Sequence, residues 1–152
     1  MKIIRASAGE CQAMAAAHQN AFGDKSWRED EFEDLLDGAG IYGFLAEDGD
    51  PLGVILCRIA AGEVEVLTVG VIPAARRRGV ALALMLAAMD VARGLGTAEA
   101  FLEVAIDNQG ALTLYDRLGF RQAGLRKSYY DRGAAGCVDA LVMRLDLNAV
   151  AA

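Results

Sequence analysis

The 152-residue chain has only three cysteines, two prolines, one tryptophan and one histidine. Cys11, Cys57 and Cys137 are far apart and form no Cys-x-x-Cys pair. That pattern argues against a disulfide framework and a zinc site, and each cysteine reads as a small buried hydrophobe. The single histidine, His18, lies in a helical pattern and reads as a structural or surface residue. No Cys-His or Ser-His arrangement accompanies it, so nothing points to a covalent enzyme intermediate. Basic excess is also missing: 15 Lys and Arg stand against 21 Asp and Glu, a formal net charge of -6. Duplex binding rests on a basic field, so a nucleic-acid partner is disfavoured, and a cationic substrate would suit the chain better. The longest apolar stretch, Val80 to Met89, is about half a membrane span. Met1-Lys2-Ile3-Ile4-Arg5 lacks the apolar region of a signal peptide. A cytoplasmic protein with no membrane partner is expected.

What is present is ordinary globular material, 55% hydrophobic and 24% charged. The length fits one domain able to bury roughly 70% of its unfolded surface. No repeat, linker or composition shift divides it, so residues 1–148 read as one domain and 149–152 as a short tail. The patterns predict strands over Lys2–Ala6, Ile41–Glu47, Leu52–Ala60, Val64–Ile72, Glu99–Ile106, Phe120–Tyr130 and Cys137–Leu145. Helices are predicted over Glu10–Phe22, Trp27–Leu36, Val80–Arg93 and Gly110–Leu118, with Arg93 and Gly94 suiting the end of the third. Ser26-Trp27-Arg28-Glu29 has the spacing of a capping box. The helix it would open is acidic in Glu29, Asp30, Glu31, Glu33 and Asp34, which reads first as a solvated face. Asp48-Gly49-Asp50-Pro51 is a hairpin signal. Helices between strands require crossovers, so the expectation is an α/β domain with a mixed sheet of about seven strands and about four helices.

The most informative segment runs from Val69 to Ala81: a strand, then a loop with Arg76, Gly79 and Ala81 at R-x-x-G-x-A spacing, then a helix start. Such a loop suits a pyrophosphate. Small residues let the backbone approach, and the unpaired N–H groups of a helix start face the anion along a favourable dipole. Arginines add charge-assisted bonds. On spacing alone, a basic surface turn capping a helix fits equally well.

This segment resembles the coenzyme A-binding signature of GNAT acetyltransferases, R-x-x-G-x-G/A after a V-x-P strand end. The resemblance continues in order through Phe101-Leu102-Glu103-Val104, Asn108, and the run Ala111 to Phe120, which matches A-x-x-L-Y-x-x-x-G-F. It covers residues 64–120 well and the rest more loosely. Within the superfamily the chain resembles the ribosomal-protein-alanine N-acetyltransferases (RimI-like) in Trp27, Leu102-Glu103-Val104, Ser128-Tyr129-Tyr130 and Asp139 to Met143. It departs from the pattern at Ala81, where glycine is commonest, at Ile72, and at Asp131, where proline often stands.

The resemblance implies the GNAT fold, acetyl-CoA as co-substrate, no metal, and an acceptor that is a protein or peptide N-terminus, such as that of a ribosomal protein. A monomer or homodimer fits equally. It also implies that Val69 and Val71 offer backbone groups to the pantetheine arm at a splay between neighbouring parallel strands. The amides of Arg77, Arg78, Gly79, Val80 and Ala81, with Arg76 in the same loop, would hold the pyrophosphate, and Asn108 would touch the cofactor arm. Glu103 would be the general base and Tyr115 the general acid; Trp27, Tyr129 and Tyr130 are candidate substrate contacts. On the residues alone, Glu103 shares a strand face with Glu99 and could simply face solvent. Tyr115 could be a core residue, Trp27 a packing anchor, and Tyr129 and Tyr130 strand packing. Acetylation of a small amine, amino acid or aminoglycoside, or a non-catalytic acyl-CoA-binding module, are the competing readings.

Overall fold

A computed structural model describes residues 1–148; the expected tail, 149–152, lies outside the described residues. The chain runs β1 (Lys2–Arg5), α1 (Cys11–Phe22), α2 (Glu29–Leu36), β2 (Ile41–Asp48), β3 (Asp50–Ala60), β4 (Glu63–Val71) and α3 (Val80–Gly94). It continues through β5 (Glu99–Ala105), α4 (Gln109–Leu118), β6 (Arg121–Asp131) and β7 (Cys137–Asp146). The strands form one sheet in the order β1-β2-β3-β4-β5-β7-β6. The expected α/β domain with seven strands and four helices is therefore what forms. β2 and β3 turn at Asp48-Gly49-Asp50, where Gly49 adopts φ 76°, the left-handed conformation such a tight hairpin demands.

β3 is buried on both faces from Leu52 to Cys57, as a central strand covered twice must be. On one face, Val64, Leu84, Met85, Leu102, Tyr115 and Phe120 join the sheet to α3 and α4. On the other, Cys11, Met14, Phe32, Val54 and Leu56 join it to α1 and α2. This second layer covers the first half of the sheet only. The second-face positions of β5, namely Glu99, Phe101 and Glu103, keep partial exposure.

The feature that positions the site is a break in the sheet. β4 and β5, the only parallel pair among the described strands, match at Glu63↔Glu99, Val64↔Ala100 and Glu65↔Phe101 and no further. Just beyond, the β3–β4 register skips Leu67, since Leu56 faces Thr68 while Cys57 faces Val66. A bulge of this kind bends and twists the strand that carries it. Residues 66–71 of β4 thus run on without a neighbour on the β5 side.

Three local expectations are corrected. α2 begins at Glu29 rather than Trp27, and Ser26 does not cap it; the Arg28 amide instead donates to Glu31 Oε1 at 3.1 Å. The reason is tertiary: the Trp27 amide is drawn to His18 Nδ1 at 3.0 Å, which keeps Ser26 extended and outside the helix. α3 runs through Gly94, and the left-handed glycine after it is Gly96. Cys11 and Cys57 are buried as expected, but Cys137 is exposed, because it opens β7 beside the β6–β7 turn.

Candidate active site

Where β4 parts from β5, a cavity of about 930 Å³ opens, lined by Ala21 and Phe22, Val69 to Val71, the 75–82 loop and helix start, and one face of α4. Pro73–Ala75 make a single 3-10 turn after β4, and the chain then enters left-handed conformations at Arg77 (φ 64°) and Gly79 (φ 79°). For Gly79 this costs nothing, whereas Arg77 carries strain of roughly 1–2 kcal/mol. The first bond of α3 is Ala83 N–H to Gly79 O at 3.0 Å, so the amides of Val80, Ala81 and Leu82 are the unpaired donors of a helix start. Arg77, Gly79, Val80 and Ala81 all line the cavity; Arg78 is not among its lining residues.

Arg76 lines the cavity but is already engaged. Its Nε donates to Val71 O at 3.1 Å and an Nη to Ala21 O at 3.3 Å. It clasps the end of β4 to the end of α1. Val71 keeps its place in the wall, with its carbonyl occupied by this clasp. Asn108 caps α4, its Oδ1 accepting from the Ala111 amide at 3.2 Å, and lines the cavity as well.

Tyr115 is 5% exposed and packs its ring against Phe120 at 5.8 Å while lining the cavity. Burial, with a smaller contribution from Tyr130, pushes its phenol well above the ordinary value. It therefore holds its proton throughout the neutral range. The buried thiols offer no rival nucleophile: burial pushes Cys57 up to about 12 and raises Cys11 too.

Glu103 is elsewhere. It points from β5 to the opposite face, where it lines a groove of about 300 Å³ with Arg58, Ala60, Glu63, Val64, Glu65, Phe101, Leu102 and Val142. The residues implied as base and acid thus lie on different walls, and the groove and the cavity share no lining residue. Glu103 Oε1 accepts from an Arg126 Nη at 2.8 Å.

The sequence of residues 10–120 matches the Acetyltransferase (GNAT) family. The chain belongs to the GNAT acetyltransferases. It is 36% identical to the N-alpha-acetyltransferase RimI of Mycobacterium tuberculosis, over 95% of this chain and 89% of that one. It is 27% identical to the ribosomal protein bS18-alanine N-acetyltransferase of Escherichia coli K12, over 87% and 85%. The crystal structure of the Escherichia coli ribosomal-protein-S18-alanine N-acetyltransferase superposes with a TM-score of 0.87 at 26% identity, covering 96% of this chain and 93% of that one.

As a GNAT enzyme the protein is an N-acetyltransferase that takes its acetyl group from acetyl-CoA. The cavity fits that co-substrate: free amides at the α3 start and the Arg77 side suit the pyrophosphate, and Val69–Val71 present an apolar strand to the arm. The thioester supplies an activated acetyl group. Among the described residues no cluster of His, Cys, Asp and Glu could hold a metal, and no helix is long and apolar enough to cross a membrane.

Other residues of the GNAT cavity were not singled out from sequence. Phe22 closes it from α1, lying where a side chain on Gly70 would collide at 2.5 Å. Gly110, Thr113, Leu114 and Arg117 continue the α4 wall; their spacing of three and four from one another was the available signal. Trp27 lines neither cavity. It stacks on His18 at 5.0 Å and leans on Phe32 at 5.5 Å, so its place is a packing anchor. His18 is 2% exposed, accepts from the Trp27 amide through Nδ1 and donates through Nε2 to Thr68 Oγ1 at 2.9 Å. Tyr129 and Tyr130 pack edge to face at 5.0 Å on the β6 side and line neither cavity.

Proposed function

We propose that this enzyme acetylates the N-terminal α-amine of a protein or peptide, as the names of its relatives say of them, and that it acts in the cytoplasm. The observation that carries the reading is the form of the second groove. Every residue lining it belongs to β3, β4, β5 or β7, and no helix or loop residue lines it. An open trough on bare sheet accepts an extended chain, whereas a small amine calls for an enclosed, polar-lined pocket. Three carboxylates, Glu63, Glu65 and Glu103, edge it against one lining arginine, Arg58, which pairs with Glu65 at 2.6 Å, and the negative excess that is left favours a cation.

The amine, entering where β4 and β5 separate, attacks the thioester carbonyl directly. A C–N bond forms and the C–S bond breaks. Glu103, directly or through water, takes the ammonium proton, and Tyr115 protonates the departing thiolate. An α-amine has a pKa near 8, so roughly a tenth is neutral at pH 7, against under a thousandth of a lysine side chain. One carboxylate is then base enough. The Val69 backbone, the amides of Arg77, Gly79, Val80 and Ala81, and Asn108 hold the co-substrate, with Arg76 bracing the loop.

Thiol release from acetyl-CoA, measured against a panel of N-terminal peptides and small amines, tests this, with Tyr115→Phe run alongside. Turnover on peptides is expected, and the variant should lose about 10²-fold or more in kcat. Turnover confined to small amines would replace the peptide reading, and binding of acetyl-CoA with no turnover would indicate a binding module.

A further inference from the structure

The proton acceptor assigned above is not free. The Glu103 side chain is 25% exposed and paired with Arg126 of β6, which is 51% exposed. Arg126 is itself held, its guanidinium lying 3.9 Å over the Tyr129 ring. Its placement depends on a break in the β6–β7 ladder. Pairing stops at Arg126↔Ala140 and resumes at Tyr130↔Val138, so four steps on β6 face two on β7. Ser128, at the centre of the bulge, adopts φ 51°, and its amide donates to Asp139 Oδ1 at 2.7 Å. A left-handed serine costs free energy, so the bulge persists because Asp139 and the packed tyrosines hold it. It folds Tyr129 back onto Arg126. The following turn is tied on both sides, by Arg132 to Asp107 at 3.0 Å and by Lys25 to the Asp131 carbonyl.

We propose that Arg126 is a positioning residue that occupies Glu103 in the free enzyme and is exchanged for the ammonium of the incoming acceptor. This rests on the acceptor reading above. The exchange conserves charge at Glu103: one cation leaves as another arrives, so the carboxylate is never left without a counter-ion in its groove. It also selects. A neutral group cannot compete for the carboxylate, whereas an N-terminal ammonium can, and only then does the proton to be removed lie against its acceptor. Because Arg126 is half exposed, releasing it is cheap; exposed ion pairs contribute little. The Tyr129 face, on which the guanidinium already lies, keeps it placed once the carboxylate lets go.

The test is steady-state kinetics on Arg126→Gln, Arg126→Lys and Arg121→Gln with the best peptide acceptor. Arg126→Gln removes the competing cation and should lower the acceptor KM by about two- to five-fold with kcat nearly unchanged. Arg126→Lys should restore the wild-type KM. Arg121→Gln makes the same change in net charge on the same strand, away from the groove, and should not move KM. An acceptor KM that stays level or rises in Arg126→Gln, a collapse of kcat, or an equal drop in Arg121→Gln overturns the exchange. Wild-type enzyme that acetylates no amine overturns the acceptor reading itself and this inference with it. Arg126 is exposed, so folding is not at stake, and circular dichroism of the variants verifies that.

Discussion

Acidification should weaken this protein well above the pH at which most carboxylates titrate, because of one side chain. His18 is enclosed by Phe22, Trp27 and Phe32, with ring centroids at 4.5, 5.0 and 5.4 Å. Burial holds its imidazole down to about 4 against an ordinary 6.5, only slightly opposed by Glu31. The hydrogen bonds demand the neutral form: Nδ1 must accept from the Trp27 amide, and a protonated ring would offer a second donor there. Between pH 6.5 and 4 the unfolded chain therefore binds a proton that the folded chain refuses, and stability falls as pH falls. The loss works out at roughly 2 kcal/mol between pH 7 and 5, rising towards roughly 3 near pH 4. In urea the midpoint should drop by about 1 M between pH 7 and pH 5. His18 is the only histidine, so one imidazole resonance reports the titration directly, and His18→Gln should remove most of the pH effect. A midpoint equal at both pH values, or an imidazole titrating near 6.5, would refute the reasoning.

Two further perturbations probe the backbone. Gly43→Ala would place a Cβ 2.3 Å from the Ile55 carbonyl oxygen, in the centre of the β2–β3 pairing. Main chain cannot yield as a side chain does, so we expect a loss of about 3 kcal/mol and a thermal midpoint lower by about 10 °C. An unchanged midpoint would show that the sheet slides to accommodate it. Gly79→Ala meets no neighbour within 4 Å, and its cost comes only from φ 79°. About 1–2 kcal/mol of left-handed strain should shift the loop away from the co-substrate, raising the acetyl-CoA KM about tenfold with acceptor KM unchanged. Calorimetry of acetyl-CoA binding checks this, and unaltered affinity would remove Gly79 from the argument.

Much of the molecule was legible along the chain. Period-two and period-3.6 apolar patterns specify which residues face a core, and the strands and helices they imply are those that form. The strand–loop–helix run from Val69 to Ala81 was readable because its requirements are local: a strand end, small residues in the loop, and a helix start. The same holds for Tyr115 on the buried stripe of α4, three residues after Leu112, whereas the capping of α4 by Asn108 emerged only in the structure. Where an expectation failed, a distant partner had intervened. Ser26 has the spacing of a cap, but His18, eight residues away, captures the Trp27 amide and moves the helix start. Arg76 sits in a loop of phosphate-binding spacing, and carbonyls of Val71 and Ala21 take two of its five donors.

The residue pattern did not show how the two walls separate; only the family resemblance implied a splay between neighbouring parallel strands. Sequence periodicity says that Glu103 and Leu102 face opposite ways, but not that β4 stops pairing with β5 after Glu65, nor that the second helical layer leaves the Glu103 face bare. Nor could it show that Arg126, 23 residues later, closes on Glu103 through a bulge pinned by Asp139. By itself the sequence determined the elements, the strand–loop–helix run after β4 and the family, since these depend on residues close together in the chain. The tertiary structure alone decided which face each charged side chain occupies and what it pairs with, because register, bulges and layer coverage are set by contacts between strands remote in sequence.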